Sequence, residues 1–237
     1  MTERRMRGRP RAFHDKSEQT TIQSLDRAMM ILGRLSSSGG LTLTELSSDL
    51  EQSPATVYRV LTTLAQREIV ELDPGSQTWH VGAGAFRIGS AFLRRTNLSE
   101  RARPFLQRLM QSTGETANLA VRHGDAVLFV NQVETHASIR AFFPPGTISP
   151  MHASGVGKAL LSAMEDDEVR DLLGDAPLET FTANTCASLD RLLADLREAR
   201  GSGYAVDDEE RNAGMRCVAA PILNADGVAV AGLSVSG

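Results

Sequence analysis

Cysteine is scarce in this chain of 237 residues, which holds two, Cys186 and Cys217. Two thiols make no disulfide framework, and neither sits in a Cys/His spacing that holds zinc. No metal or cofactor is therefore expected, and a reducing cytoplasm is the simplest setting. Long apolar runs are absent too. No stretch approaches the roughly 18 consecutive apolar residues that span a bilayer. The N-terminus is basic, but no apolar region follows it, which excludes a secretory signal. A charge extreme is also missing, with a net charge of −4. Length and composition are those of a globular protein of one or two domains.

A nucleotide-binding loop is missing as well, although Pro150 to Leu161 imitates one. A phosphate loop needs Gly six residues before the Lys of Gly-Lys-Ser/Thr. Counting back from Lys158 gives His152, and Ala159 stands where a metal-binding hydroxyl is required. What remains is Gly155 and Gly157 leading into an apolar helix. Such a start offers unpaired N–H groups and the positive end of the helix dipole to a small anion such as a carboxylate. A tight turn that merely begins a helix fits the spacing equally well.

The small net charge conceals an asymmetry. Residues 1–97 carry 13 Lys/Arg against 10 Asp/Glu, and residues 98–237 carry 12 against 19. Only the front third is suited to a polyanion. Arg4, Arg5, Arg7, Arg9 and Arg11 crowd around Gly8 and Pro10. This arm is too poor in apolar residues to fold alone. It resembles an AT-hook, whose arginines enter a narrow minor groove; a solubilising tail is the alternative. Leu25, Ala28, Met29, Leu32 and Leu35 then mark a helix over 22–37. Thr42 and Glu45 form a capping box for a short helix to Leu50. Ser53 and Pro54 start a third helix, to about Arg67. Val57, Val60, Leu61 and Leu64 form its buried stripe. Its other face presents Ala55, Thr56, Arg59, Thr62 and Thr63, suited to a major groove. With Ser53 at its start, this reads as helix-turn-helix. A hairpin across Asp73–Ser76 stands where a wing belongs. Gly84 to Arg95 is a further helix with apolar residues on more than one face, expected to be buried within the chain or between subunits.

The back half mixes strands and helices, an α+β pattern. A capping-box-like start at Asn97 and Glu100 opens a helix to about Gly114. Strands are expected at 117–122, 126–133, 138–143, 216–223 and 228–236. Helices are expected after the Gly-rich loop to Met164, and over 165–173 and 188–200.

Six words occur in order across Gln23 to Gly237: Gln-Ser-Leu-Asp-Arg-Ala from 23, Ser-Pro-Ala-Thr-Val-Tyr-Arg-Val-Leu from 53, Pro-Met-His-Ala-Ser-Gly-Val-Gly-Lys-Ala from 150, Gly-Tyr-Ala-Val-Asp-Asp-Glu-Glu from 203, Arg-Cys-Val-Ala-Ala-Pro from 216 and Leu-Ser-Val-Ser-Gly from 233. On these the chain resembles the IclR family of bacterial transcriptional regulators. Behind the basic arm over 1–21, which is longer than in many relatives, the resemblance implies a winged helix-turn-helix over 22–82, a linker helix over 83–97 and a GAF-like effector domain over 98–237. It implies double-stranded operator DNA as partner, and dimers that pair into tetramers. The nearest likeness is to regulators of glyoxylate metabolism, which respond to glyoxylate or pyruvate. By position it assigns the effector to the backbone N–H groups of Gly155 and Val156 and to Asp207, Cys217, Ser234 and Ser236. Ser138, Ala141 and Ser149 depart from the large apolar pocket residues of those relatives. The departure keeps open an aromatic-acid effector, as in relatives that control aromatic catabolism. Relatives also continue past Gly237 with another helix, so the chain is expected to be cut short there. A more remote alternative is an enzyme with Cys217 as nucleophile and His152 as base.

Overall fold

The computed structural model describes residues 22–94, 97–135, 142–174 and 176–237. The arm with Arg7, Arg9 and Arg11, and the positions Ser138 and Ala141, lie outside the described residues. The chain divides at Phe92/Leu93 into two compact units.

In the first unit three helices pack on a small sheet. They are α1 (Gln23–Ser36), α2 (Leu43–Asp49) and α3 (Pro54–Ala65). Both caps read from the sequence form: Thr42 accepts from the Glu45 N–H while the Glu45 carboxylate accepts from the Thr42 N–H, and Ser53 accepts from the Thr56 N–H. The hairpin of β2 (Val70–Asp73) and β3 (Thr78–Val81) carries a third strand not expected from the sequence, β1 (Leu41–Thr42), paired Leu41 to Trp79. Two residues are too short for an alternating pattern to reveal. Ile31, Leu35, Leu46, Val57, Leu61, Val70 and Trp79 form the core. The expected stripe of α1 is only half used. Ile31 and Leu35 are buried, whereas Leu25 and Met29 are each 59% exposed on the helix's first two turns. In the next helix, α4 (Ala83–Arg94), Phe86 and Ile88 are likewise exposed, so burial of its apolar residues within the single chain does not occur there.

The second unit is a six-stranded antiparallel sheet with helices on both faces. Its elements are α5 (Leu98–Thr113), β4 (Thr116–His123), β5 (Ala126–Val133), β6 (Ile148–Pro150), α6 (Gly155–Ser162), α7 (Asp166–Leu173), α8 (Leu189–Ser202), β7 (Ala205–Asp208), β8 (Arg216–Leu223) and β9 (Ala229–Ser236). The strand order is β6-β5-β4-β9-β8-β7. Alternation along β4 divides the core. Ala117 and Leu119 join Ala102 and Leu106 of α5 on one face, while Ala120 joins Val156, Leu160, Leu192 and Leu196 of α6 and α8 on the other. Asn97 does not cap α5; its φ is 49°, and its side chain makes no cap hydrogen bond. The described end of the strand expected over 138–143, Phe142 and Phe143, is not strand, and the edge strand is β6 instead. Pro144 and Pro145 supply no backbone N–H for a ladder, which moves the strand beyond them.

Candidate functional site

Sheet register builds the site. Asp207 pairs with Cys217, Cys217 with Ser236, and Ser236 with Thr116, a row across four strands. In the adjacent row Ala219 pairs with Ser234, Ser234 with Asn118, and Asn118 with Gln132. The period of two puts Ser234 and Ser236 on one face. The start of α6 lies against them, because a Cβ on Gly155 would stand 2.7 Å from the Cys217 Sγ. A Cβ on Gly157 would fall on the Met151 backbone, which cannot give way. The two glycines thus let α6 approach both the sheet and the 3-10 turn Met151–Ala153 that precedes it.

Ser154 caps α6 by accepting from the Gly157 N–H at 3.1 Å. Gly155 and Val156 occupy the first two helical positions, whose N–H groups have no partner within a helix. They line a small cavity with Asp207, Cys217, Ser234 and Ser236. All six effector residues expected from the resemblance therefore meet in one place, and Ser149 lines the same cavity. Its volume is about 10 Å³, room for roughly one water molecule.

Asn118, which sequence reading missed, sets the polarity of the serines. Its amide nitrogen donates to Ser236 Oγ at 3.3 Å and to Ser234 Oγ at 3.5 Å, while Gln132 Nε2 donates to its Oδ1 at 3.0 Å. Both serine oxygens act as acceptors toward Asn118, so their hydroxyl hydrogens are left to donate elsewhere. Alternation within β4 could have placed Asn118 on that face, but not its partners.

Burial pushes the Asp207 carboxyl up to about 6; the Glu210 N–H, donating at 2.8 Å, opposes this, and the Glu210 carboxylate adds to it. Glu210 is itself paired with Lys158, both side chains buried. Burial also raises the Cys217 thiol, against hydrogen bonds with Ser236, Ser234 and the Gly155 N–H. A thiol kept protonated is a poor nucleophile. His152 is not its base, because its Nε2 is 2.9 Å from the Glu179 carbonyl and no hydrogen bond joins it to Cys217. Among the described residues no group of three or more His, Cys, Asp or Glu could hold a metal ion.

In the first unit, α3 presents Ser53, Ala55, Arg59 and Thr63 exposed and Thr56 half-buried. The Arg59 guanidinium has no ion pair among the described residues. Thr63 donates to the Arg59 carbonyl at 2.8 Å, so it offers its methyl group outward. Ser53 and Thr56 hydroxyls lie 2.8 Å apart and order each other. Tyr58 and Arg27, also missed, line a groove between α1 and α3 with Arg59. Among the described residues no helix is long and apolar enough to cross a membrane.

Two family models match the chain. One, described as bacterial transcriptional regulator IclR C-terminal, matches residues 90–237; the other, the IclR helix-turn-helix domain, matches residues 24–74. The HTH-type transcriptional regulator BhcR of Paracoccus denitrificans is 53% identical over 98% of this chain and 85% of that protein. The HTH-type transcriptional repressor AllR of Escherichia coli K12 is 37% identical over the whole chain and 88% of that protein. Among solved structures, the Thermotoga maritima IclR superposes with a TM-score of 0.76 at 28% identity, covering 92% of this chain and 88% of that one.

Proposed function

The chain belongs to the IclR family as a DNA-binding transcriptional regulator with a small-molecule effector domain, and from that premise we propose that its effector is a small 2-oxo acid, glyoxylate first and pyruvate next. The observation that carries this reading is the convergence on one cavity of the Gly155 and Val156 N–H groups, at the start of α6, with the Ser234 and Ser236 hydroxyls, whose oxygens accept from Asn118. Four donors around one point suit a carboxylate and an adjacent carbonyl oxygen. A small acid enters once the lining side chains yield. The effector domain of this reading spans 98–237, and the regulated genes are those of glyoxylate and central carbon metabolism.

The DNA contacts are assigned to two parts. Arg7, Arg9 and Arg11 of the arm (1–21) enter the minor groove. Ser53, Ala55, Thr56, Arg59 and Thr63 of the winged helix-turn-helix (22–82) meet the major groove. Exposed Leu25 and Met29 on α1, and Phe86 and Ile88 on α4 within the linker helix (83–97), support subunit contacts in a dimer that assembles to a tetramer. The protein acts in the cytoplasm, where its operator lies.

Calorimetry of the full chain with glyoxylate and pyruvate, paired with operator mobility shifts, tests the effector. Binding together with a change in operator affinity is expected; no binding of either acid at millimolar concentration would sink the assignment.

A further inference from the structure

We propose that Arg211 is a carboxylate-recognising residue of the effector pocket, held in reserve on the face of Phe181 until an anion enters. The inference rests on the effector reading above and adds a residue that neither the sequence pattern nor the resemblance assigns.

Charge balance makes the case. Among the described residues, Asp207 and Arg211 are the two charged side chains that line the cavity. Lys158, on the helix that begins there, is committed to Glu210 in a buried pair. With Asp207 ionised, the pocket without Arg211 carries about one negative charge against roughly half a positive charge at the α6 N-terminus. An anion entering such a site meets net repulsion. With Arg211 the balance turns positive.

Arg211 is placed to supply that charge. Its guanidinium carbon lies 4.1 Å from the centroid of the Phe181 ring. No carboxylate forms an ion pair with it among the described residues. His152 also stacks on the ring, with centroids 6.0 Å apart, and is tied to the Glu179 carbonyl. Arg211 sits on the connection between β7 and β8, half-buried, with Asn212, Ala213 and Gly214 exposed beside it. A cation–π contact between two half-buried groups holds the guanidinium without satisfying its N–H donors. A guanidinium–carboxylate pair in a desolvated pocket is stronger and bidentate. Exchange of one for the other is thus favourable, and moving Arg211 also enlarges a cavity with room for about one water.

The test measures glyoxylate binding by calorimetry on the full chain at low and high salt, for the wild type, Arg211→Gln, Arg211→Lys and Phe181→Leu, with thermal melts as a folding control. Arg211→Gln should weaken glyoxylate binding about tenfold or more and flatten its salt dependence at unchanged melting temperature. Arg211→Lys should recover part of the affinity and the salt dependence. Phe181→Leu should bind as tightly or a few-fold more tightly, because no ring contact has to be broken. Wild-type binding with Arg211→Gln within about twofold, or with its salt dependence intact, overturns the role of Arg211 alone. Wild-type protein that binds neither glyoxylate nor pyruvate overturns the effector reading and this one together.

Discussion

Single side chains here carry charge into places that penalise it, and that makes their effects measurable. Asp207 is buried, and its carboxyl is raised from 3.8 to about 6. Raised in the folded state, it contributes stability that is full below pH 3.8 and lost as pH climbs through about 6. The ionised form costs about 3 kcal/mol on that basis. Asp207→Asn keeps an acceptor for the Glu210 N–H without the charge. The variant should melt higher than the wild type at pH 7.5, and the difference should vanish near pH 4; melting curves across that range check it. A constant difference would place the burial cost elsewhere. Glyoxylate should also bind more tightly to the wild type at pH 5.5 than at 7.5, because protonated Asp207 no longer repels it. Arg59 makes the opposite case, an exposed cation without an ion pair. If it reads a base edge, Arg59→Ala should cost about 1–3 kcal/mol at the operator and much less on random DNA. Equal losses in a competition mobility-shift assay would reduce it to a phosphate contact.

Secondary-structure elements were legible where local chemistry alone decides them. The Thr42–Glu45 box, the Ser53-Pro54 start and the turn at Asp73–Ser76 depend on residues within four positions, and each forms. Elements that depend on distant partners were not legible. β1 and β6 exist because Trp79 and Val127 stand opposite them, and neither has enough residues for a period. The exposed stripe on α1 shows the same limit, since helical spacing reports an apolar face but not what covers it. In the site, resemblance supplied the six proposed effector positions, whereas Asn118 and the proposed Arg211 emerge only from register and from the β7–β8 connection. Glycine at 157 has a tertiary cause that no local pattern shows: the Met151 backbone lies where a side chain would begin. Gly157→Ala should therefore destabilise by about 1–3 kcal/mol through overpacking. Gly201→Ala in α8, with no atom within 4 Å of the new Cβ, should raise stability by a few tenths to about 1 kcal/mol. Chemical denaturation of the two variants separates a contact effect from helix propensity, and a neutral Gly157→Ala would show that α6 can move away from the turn.

In the proposed reading, the whole molecule couples an anion to a polyanion, with a net positive front third and a net negative remainder. If glyoxylate binding changes operator affinity by some factor, operator binding must change glyoxylate affinity by the same factor. Coupling of this kind is typically about 1–3 kcal/mol, or 5- to 150-fold. The equality follows from a closed cycle and does not depend on how the units are arranged. Calorimetric titration of glyoxylate into free protein and into the operator complex gives one side of the cycle; mobility shifts with and without glyoxylate give the other. The basic arm provides an internal control. Replacing Arg7, Arg9 and Arg11 with Gln should lower operator affinity and reduce the salt slope by up to about 3, since each charge that neutralises a phosphate contributes about 0.9. It should leave the coupling factor unchanged, because the arm adds the same minor-groove contacts whether or not the effector is bound. A coupling factor that falls with the arm removed would mean that glyoxylate acts by releasing the arm from the groove rather than by biasing the helix-turn-helix pair.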